Sequence, residues 1–183
     1  LKVANIGGLK LFAAGQDGGI YVWDPSPSVG WQVVAGPDGR VYSLEAFDAG
    51  SGIRLYAGGQ FGTVYWNSGT ASVDAANIAA WDGSAWTALG TGLSGSAWFT
   101  AATTLRAYND GSGTKLYVGG FFDHAGACET VCLARWTGTD WEAMPGGATN
   151  NLVTTTTPFP DRLGPALYLG GYFTTAGGSN AAG

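Results

Sequence analysis

Charge is scarce in this chain. Asp, Glu, Lys and Arg make up only 11% of its 183 residues, and three are lysines, Lys2, Lys10 and Lys115. The eight basic residues are scattered rather than gathered into a stripe, which argues against nucleic acid and anionic membranes as partners. There is one histidine, His124, and there are two cysteines, Cys128 and Cys132. A Ser-His-Asp triad would have to use that single histidine, and no Gly-x-Ser-x-Gly elbow is present. No apolar run reaches the roughly 20 residues of a membrane helix, so membrane insertion is not expected. No stretch of useful length follows the helical period, so no helix is predicted. The residues from Leu1 onward read as a strand and not as a signal peptide.

Glycine and aromatic side chains are plentiful. The chain holds 32 Gly, 8 Trp and 8 Tyr, and 45% of it is hydrophobic. Such a chain is not disordered, and glycine without a collagen period but with many aromatics predicts an all-β protein rich in tight turns. Net charge is −5. The surface that remains is Gly, Ser, Thr, Asn and Asp, which suggests an extracellular or cell-surface setting.

A repeat organises the chain. Leu11-Phe12-Ala13-Ala14-Gly15, Leu55-Tyr56-Ala57-Gly58-Gly59, Leu116-Tyr117-Val118-Gly119-Gly120 and Leu167-Tyr168-Leu169-Gly170-Gly171 align, with starts 44, 61 and 51 residues apart. Between them lie Val22-Trp23-Asp24, Ala80-Trp81-Asp82-Gly83 and Arg135-Trp136-Thr137-Gly138, each followed by a second tryptophan, Trp31, Trp86 or Trp141. Asn109-Asp110-Gly111-Ser112-Gly113 and the Trp-Thr-Gly-Thr-Asp-Trp run at 136–141 read as hairpin turns, since Gly and Asn tolerate positive φ. The predicted unit is four short antiparallel strands. Leu116, Tyr117 and Val118 are consecutively apolar, as expected of a strand covered on both faces. The glycine doublet is expected where strands approach closely.

These motifs resemble the kelch repeat, and more closely a divergent kelch-like repeat of large bacterial secreted and surface proteins. The match rests on the doublets Gly58-Gly59, Gly119-Gly120 and Gly170-Gly171, the pairs Trp81/Trp86 and Trp136/Trp141, and Ile78-Ala79-Ala80-Trp81-Asp82-Gly83 with Leu89-Gly90. His124-Ala125-Gly126 and Thr174-Thr175-Ala176-Gly177-Gly178 fit the same pattern. The first copy departs from it, with Ala14 in place of a glycine and Pro25 and Pro27 in its hairpin. The resemblance implies a β-propeller of four-stranded blades, about three and a half of them: one over about 1–35, a second over about 39–90, a third over about 96–145 and a partial fourth over about 151–183. Propellers need roughly four blades or more to go round, so this chain is expected not to close a ring alone and to be a segment of a longer protein.

Few residues invite chemistry. The tryptophans in repeat register, Trp23, Trp81, Trp86, Trp136 and Trp141, are expected in the core between blades. Trp66 and Trp98 stand outside the register and are the candidates for a ligand-binding surface platform. Cys128 and Cys132 are expected in a loop as one local disulfide of an exported protein. Two alternatives stay open there: a metal held with His124 and Asp123, or free thiols. The carboxylates Glu45, Asp48, Asp110, Glu129 and Glu142 mostly fall in turns, and Asp110-Gly111-Ser112-Gly113 lacks the spread of ligands of a good calcium site. No catalytic residue, metal or cofactor is predicted. The expected function is a non-enzymatic interaction scaffold whose partners are other protein chains or further blades of the same protein, with a glycan as the other partner class. The alternatives are a propeller attached to a secreted carbohydrate-active enzyme, or a repeat subunit of an extracellular assembly.

Overall fold

The computed structural model describes residues 1–25, 29–96, 99–144, 148–162 and 164–181, and the Asp161 side chain is not described. The first unit is a meander of β1 (Lys2–Asn5), β2 (Leu9–Ala14), β3 (Ile20–Asp24) and β4 (Gly30–Pro37). The second begins with β5 (Arg40–Asp48) and β6 (Ile53–Gln60), detours through a small hairpin of β7 (Thr63–Trp66) and β8 (Ala71–Asp74), and ends with β9 (Ile78–Trp81) and β10 (Trp86–Ala88). A short β11 (Leu93–Ser94) leads into the third unit. That unit repeats the plan with β12 (Ala101–Asn109), β13 (Thr114–Phe121), the small hairpin β14 (His124–Ala125) and β15 (Cys128–Glu129), then β16 (Leu133–Trp136) and β17 (Trp141–Ala143). Last come β18 (Val153–Asp161), β19 (Gly164–Gly171) and another small hairpin, β20 (Thr175–Ala176) and β21 (Ser179–Asn180). The chain is all-β, with several antiparallel sheets and no helix among the described residues. No sheet closes on itself among those residues.

Local turn chemistry sets the strand ends. Asp48 Oδ1 accepts the N–H groups of Gly50 and Gly52, at 2.8 and 3.0 Å, and Asn109 Oδ1 accepts those of Gly111 and Gly113 at 2.9 and 3.3 Å. Both loops are thereby held as side-chain-closed turns. The tryptophan hairpins pair Trp81 with Trp86 and Trp136 with Trp141 directly across the strands.

The glycine doublet has a backbone cause. Opposite it the first strand of the second, third and fourth units bulges, at Val41/Ser43, Ala102/Thr104 and Val153/Thr155. A Cβ on Gly59, Gly120 or Gly171 would lie 2.0, 2.0 or 2.1 Å from the carbonyl oxygen of Arg40, Ala101 or Leu152. Only glycine lets the second strand pass that close.

The small hairpins tie each unit to the connection that precedes it. β7 pairs with the end of β4, β14 pairs with β11, and Ala176 bridges Thr149. Asp38 Oδ1 accepts the Gly62 and Thr63 N–H groups at 2.7 and 3.1 Å, and Asn150 Oδ1 accepts those of Thr174 and Thr175 at 2.9 and 3.1 Å. Because β7 joins β4, the first unit belongs to a six-stranded sheet, β1-β2-β3-β4-β7-β8.

Two cores lie between units. In the first, Phe12, Ile20 and Ala35 of the first unit meet Leu55, Ala79, Trp81 and Trp86 of the second. In the second, Tyr56, Ile78 and Leu89 meet Leu116, Val118 and Trp136. Leu116, Tyr117 and Val118 are all buried, as their unbroken apolar run predicts. Polar links span the first strands too: Leu105 N–H donates to Ser43 Oγ at 3.0 Å, and the buried hydroxyls of Thr104 and Thr156 lie 2.9 Å apart.

Candidate functional site

Cross-strand register gathers one apolar row in each unit. In the second unit it runs Ala46, Leu55, Trp81, Trp86, and in the third Ala107, Leu116, Trp136, Trp141. The first unit carries the same row as Val3, Leu11, Trp23, Trp31. Side chains alternate across a strand, so each row lies on one face. The rows of the second and third units are covered by the opposite face of the unit before. Phe12 meets Trp81 edge-on at 5.8 Å, and Trp141 Nε1–H donates to the Leu89 carbonyl at 2.9 Å.

Among the described residues the row of the first unit has no such cover. Trp23 and Trp31 are 41% and 44% exposed, against 8% and 2% for Trp81 and Trp86. Their rings stand edge to face at 5.4 Å. Val3 and Val33 beside them are exposed as well, and Val33 lies two residues beyond Trp31 on β4, hence on the same face. Expected in the core, Trp23 is therefore half in water, because repeat register places it on a face and only a neighbouring sheet buries that face. The signal available in the sequence was the period-two set Leu9, Leu11 / Tyr21, Trp23 / Trp31, Val33.

A second cluster ties the first strands together. Lys2, Glu45 and Arg106 occupy the same register position in successive units, opposite Phe12, Tyr56 and Tyr117. Glu45 is buried; it takes the ammonium of Lys2 on Oε1 and faces an Arg106 guanidinium nitrogen at 3.5 Å from Oε2. A single carboxylate between two cations has no acid partner for general acid–base work, and its chemistry is that of a staple.

The candidates nearest to catalysis do not assemble. His124 Nδ1 lies 2.7 Å from Asp123 Oδ1, and Ser96 Oγ donates to the other carboxylate oxygen at 2.8 Å. Serine therefore engages the acid and not the imidazole, which is the wrong order for a nucleophile and its base. The Ser96 N–H is the main cause that holds the Asp123 carboxyl at about 2, followed by the His124 and Ser96 side chains. Asp110 is saturated by donors: Ser112 hydroxyl and N–H, Tyr117 hydroxyl and Arg135. The Ser112 hydroxyl and N–H, then the Tyr117 hydroxyl, hold its carboxyl well below the usual range. The cleft of about 370 Å³ between Gly15 and Tyr42 is also lined by Arg40, and its lining among the described residues holds no acid, histidine or thiol.

The disulfide expected between Cys128 and Cys132 is not formed, and both are free thiols. The segment is also not a plain loop. Cys128 sits on β15 opposite Ala125, while Cys132 lies past the hairpin in a left-handed conformation (φ 62°), its N–H bonded to the Phe122 carbonyl at 2.9 Å. The pairing that builds the hairpin holds the two cysteines in separate environments, Cys128 half-exposed and Cys132 buried. Burial pushes the Cys132 thiol up, away from the thiolate that a metal or a redox partner requires. Among the described residues no three His, Cys, Asp or Glu side chains gather as a metal site. Trp66 ends β7, half-buried against the first core, and Trp98 lies outside the described residues. Comparison with protein-family models, curated proteins and solved structures found no match for this chain.

Proposed function

We propose that the chain is a kelch-like β-propeller segment of a secreted or cell-surface bacterial protein, and that it acts as a non-catalytic interaction scaffold. The reading draws support from the three aligned apolar rows and from the face-to-face order in which each unit covers the next. The observation that carries it is the exposure of the row Val3–Leu11–Trp23–Trp31, whose two counterparts pack into interfaces, with Leu55, Trp81, Trp86, Leu116 and Trp136 buried and Trp141 half-buried. A tryptophan brings roughly 150–250 Å² of surface to an interface, so two exposed in register make a strong anchor for a partner sheet.

Sedimentation velocity over a concentration series tests this. The chain is expected to associate, and Trp23→Ser/Trp31→Ser is expected to weaken association by about tenfold or more while leaving the far-UV circular dichroism unchanged. A monomer at every concentration, or association untouched by the double substitution, would overturn the scaffold role of this face.

A further inference from the structure

A cleft of about 230 Å³ lies between the second and third units, lined by Ser51, Arg54, Tyr56 and Thr87 from one and by Trp136 and Gly138 from the other. Arg54 and Tyr56 stand two residues apart on β6, hence on one face. Burial pushes the Tyr56 phenol up, so it remains an O–H donor at neutral pH. Among the described residues neither the Arg54 guanidinium nor the Tyr56 hydroxyl has a hydrogen-bond or ion-pair partner. Asp48 and Asp82 act on the pair through their charge, but each is bound into its own turn, Asp48 by the N–H groups of Gly50 and Gly52 and Asp82 by those of Ser84 and Ala85.

The third unit shows what such a set of donors holds. There Tyr117 takes the place of Tyr56 and Lys115 that of Arg54. Each tyrosine packs on the aromatic of its first strand with ring centres 5.6 Å apart, Phe47 for Tyr56 and Tyr108 for Tyr117. The Asp110 carboxylate is seated on these groups: it accepts from the Ser112 hydroxyl, from the Tyr117 hydroxyl at 2.8 Å and from Arg135 at 2.6 Å, with the Lys115 ammonium at 3.9 Å. The turn of the second unit, Asp48-Ala49-Gly50-Ser51-Gly52, has Ala49 where Asp110 stands. Strand register likewise puts Ala80 in the place of Arg135 and Thr87 in that of Glu142. The serine, the cation and the tyrosine are kept, whereas the carboxylate is replaced by a methyl group and the side chains around it are smaller.

We propose that this cleft binds the carboxylate of a small organic acid, held by the Arg54 guanidinium and the hydroxyls of Tyr56 and Ser51. Hydrogen bonds from a guanidinium to a carboxylate are among the stronger ones a protein makes. The volume falls below the roughly 300–1,000 Å³ of pockets that take drug-sized molecules, which fits a ligand of a few heavy atoms. The site is independent of the Trp23/Trp31 face and adds a small-molecule ligand to the scaffold reading.

Acetate titrated into the whole ¹⁵N-labelled chain at constant ionic strength tests this, with chloride as the control anion. The Arg54 Nε–H resonance should shift and saturate with acetate and not with chloride. Read at the Ala80 and Thr87 amides, affinity should fall about tenfold or more in Arg54→Met and about threefold or more in Tyr56→Phe. Ala49→Asp should abolish the acetate response, because a tethered carboxylate then takes the same donors. A shift that never saturates, an equal response to chloride, or unchanged affinity in Arg54→Met would overturn the site. A blocked Gly-Glu-Gly tripeptide presents the same group on a main chain; binding tighter than that of acetate would assign the cleft to a partner's acidic side chain and overturn the free acid as its ligand. The Trp23/Trp31 association plays no part in these readouts, so either reading can fail alone.

Discussion

The first and second units carry one apolar row in one register, yet the row is half-exposed in the first and buried in the second. Trp23 and Trp31 cross at 63°, while Trp81 and Trp86 lie within 19° of parallel under Phe12. The motif is local; the environment is not. A hairpin with a tryptophan at each end of its turn forms wherever the turn chemistry allows, but its burial depends on the sheet delivered by the preceding unit. The second glycine of each doublet behaves in the opposite way. The carbonyl that crowds Gly59, Gly120 or Gly171 belongs to the same unit in each case, so the constraint survives at the end of the array.

The largest expected effect breaks this comparison at its strongest point. Trp81→Ala should cost about 3–5 kcal/mol by cavity formation, whereas Trp23→Ala, at a solvent-facing site, should cost under about 1 kcal/mol. Urea midpoints measure both, and equal losses would mean that the first row is covered in solution. Next, Gly120→Ala should cost about 1–3 kcal/mol by overpacking against the Ala101 carbonyl. Gly171→Ala meets the same contact in a two-stranded sheet, so its loss should appear as faster amide exchange over 153–171 and less as a shift of the global midpoint. Glu45→Gln should cost about 1–2 kcal/mol, discounted because Lys2 and Arg106 keep partial access to water. That loss should shrink when Lys2→Met is added, which a double-mutant cycle reads directly.

The smallest effect is acid sensitivity, strongest in the third unit and shared in direction by Asp17 and Asp82. The folded chain holds Asp123 at about 2 and Asp110 lower still, against 3.8 for an unperturbed aspartate. Each carboxyl thus binds its proton more weakly folded than unfolded. The stability they contribute is fully present above about pH 4 and is lost as pH falls through 3.8 toward 2. Both groups touch solvent, so the loss is modest. Thermal midpoints between pH 5 and 2 check it, and Asp123→Asn together with Asp110→Asn should flatten that slope.

Much of the fold was legible because its cues are short-range. Asn109–Gly113 announces a turn through residues that accept positive φ and a side chain that closes the loop, and Leu-Tyr-Val-Gly-Gly announces a doubly covered strand through its unbroken apolar run. The small hairpins were not legible. β14 and β15 are two residues each, too short for any alternation, and their partner β11 lies about 30 residues upstream. The cysteines misled for a related reason. A spacing of four residues gives proximity along the chain and says nothing of direction, and here the hairpin and the left-handed backbone at Cys132 divide the pair. Glu45 stood in the sequence as one carboxylate among several; its burial between two cations appears only once three first strands lie side by side.

By itself, then, the sequence determined what neighbouring residues decide: all-β character, the hairpin turns, the tryptophan pairs and the need for glycine at the second position of each doublet. These follow from φ preferences, side-chain alternation and steric contact within one unit. Tertiary structure alone decided which identical motifs are buried and which are bare, because burial is a property of the surface that arrives from elsewhere. Trp81 and Trp86 have the face of the first unit above them, and Trp23 and Trp31 have water.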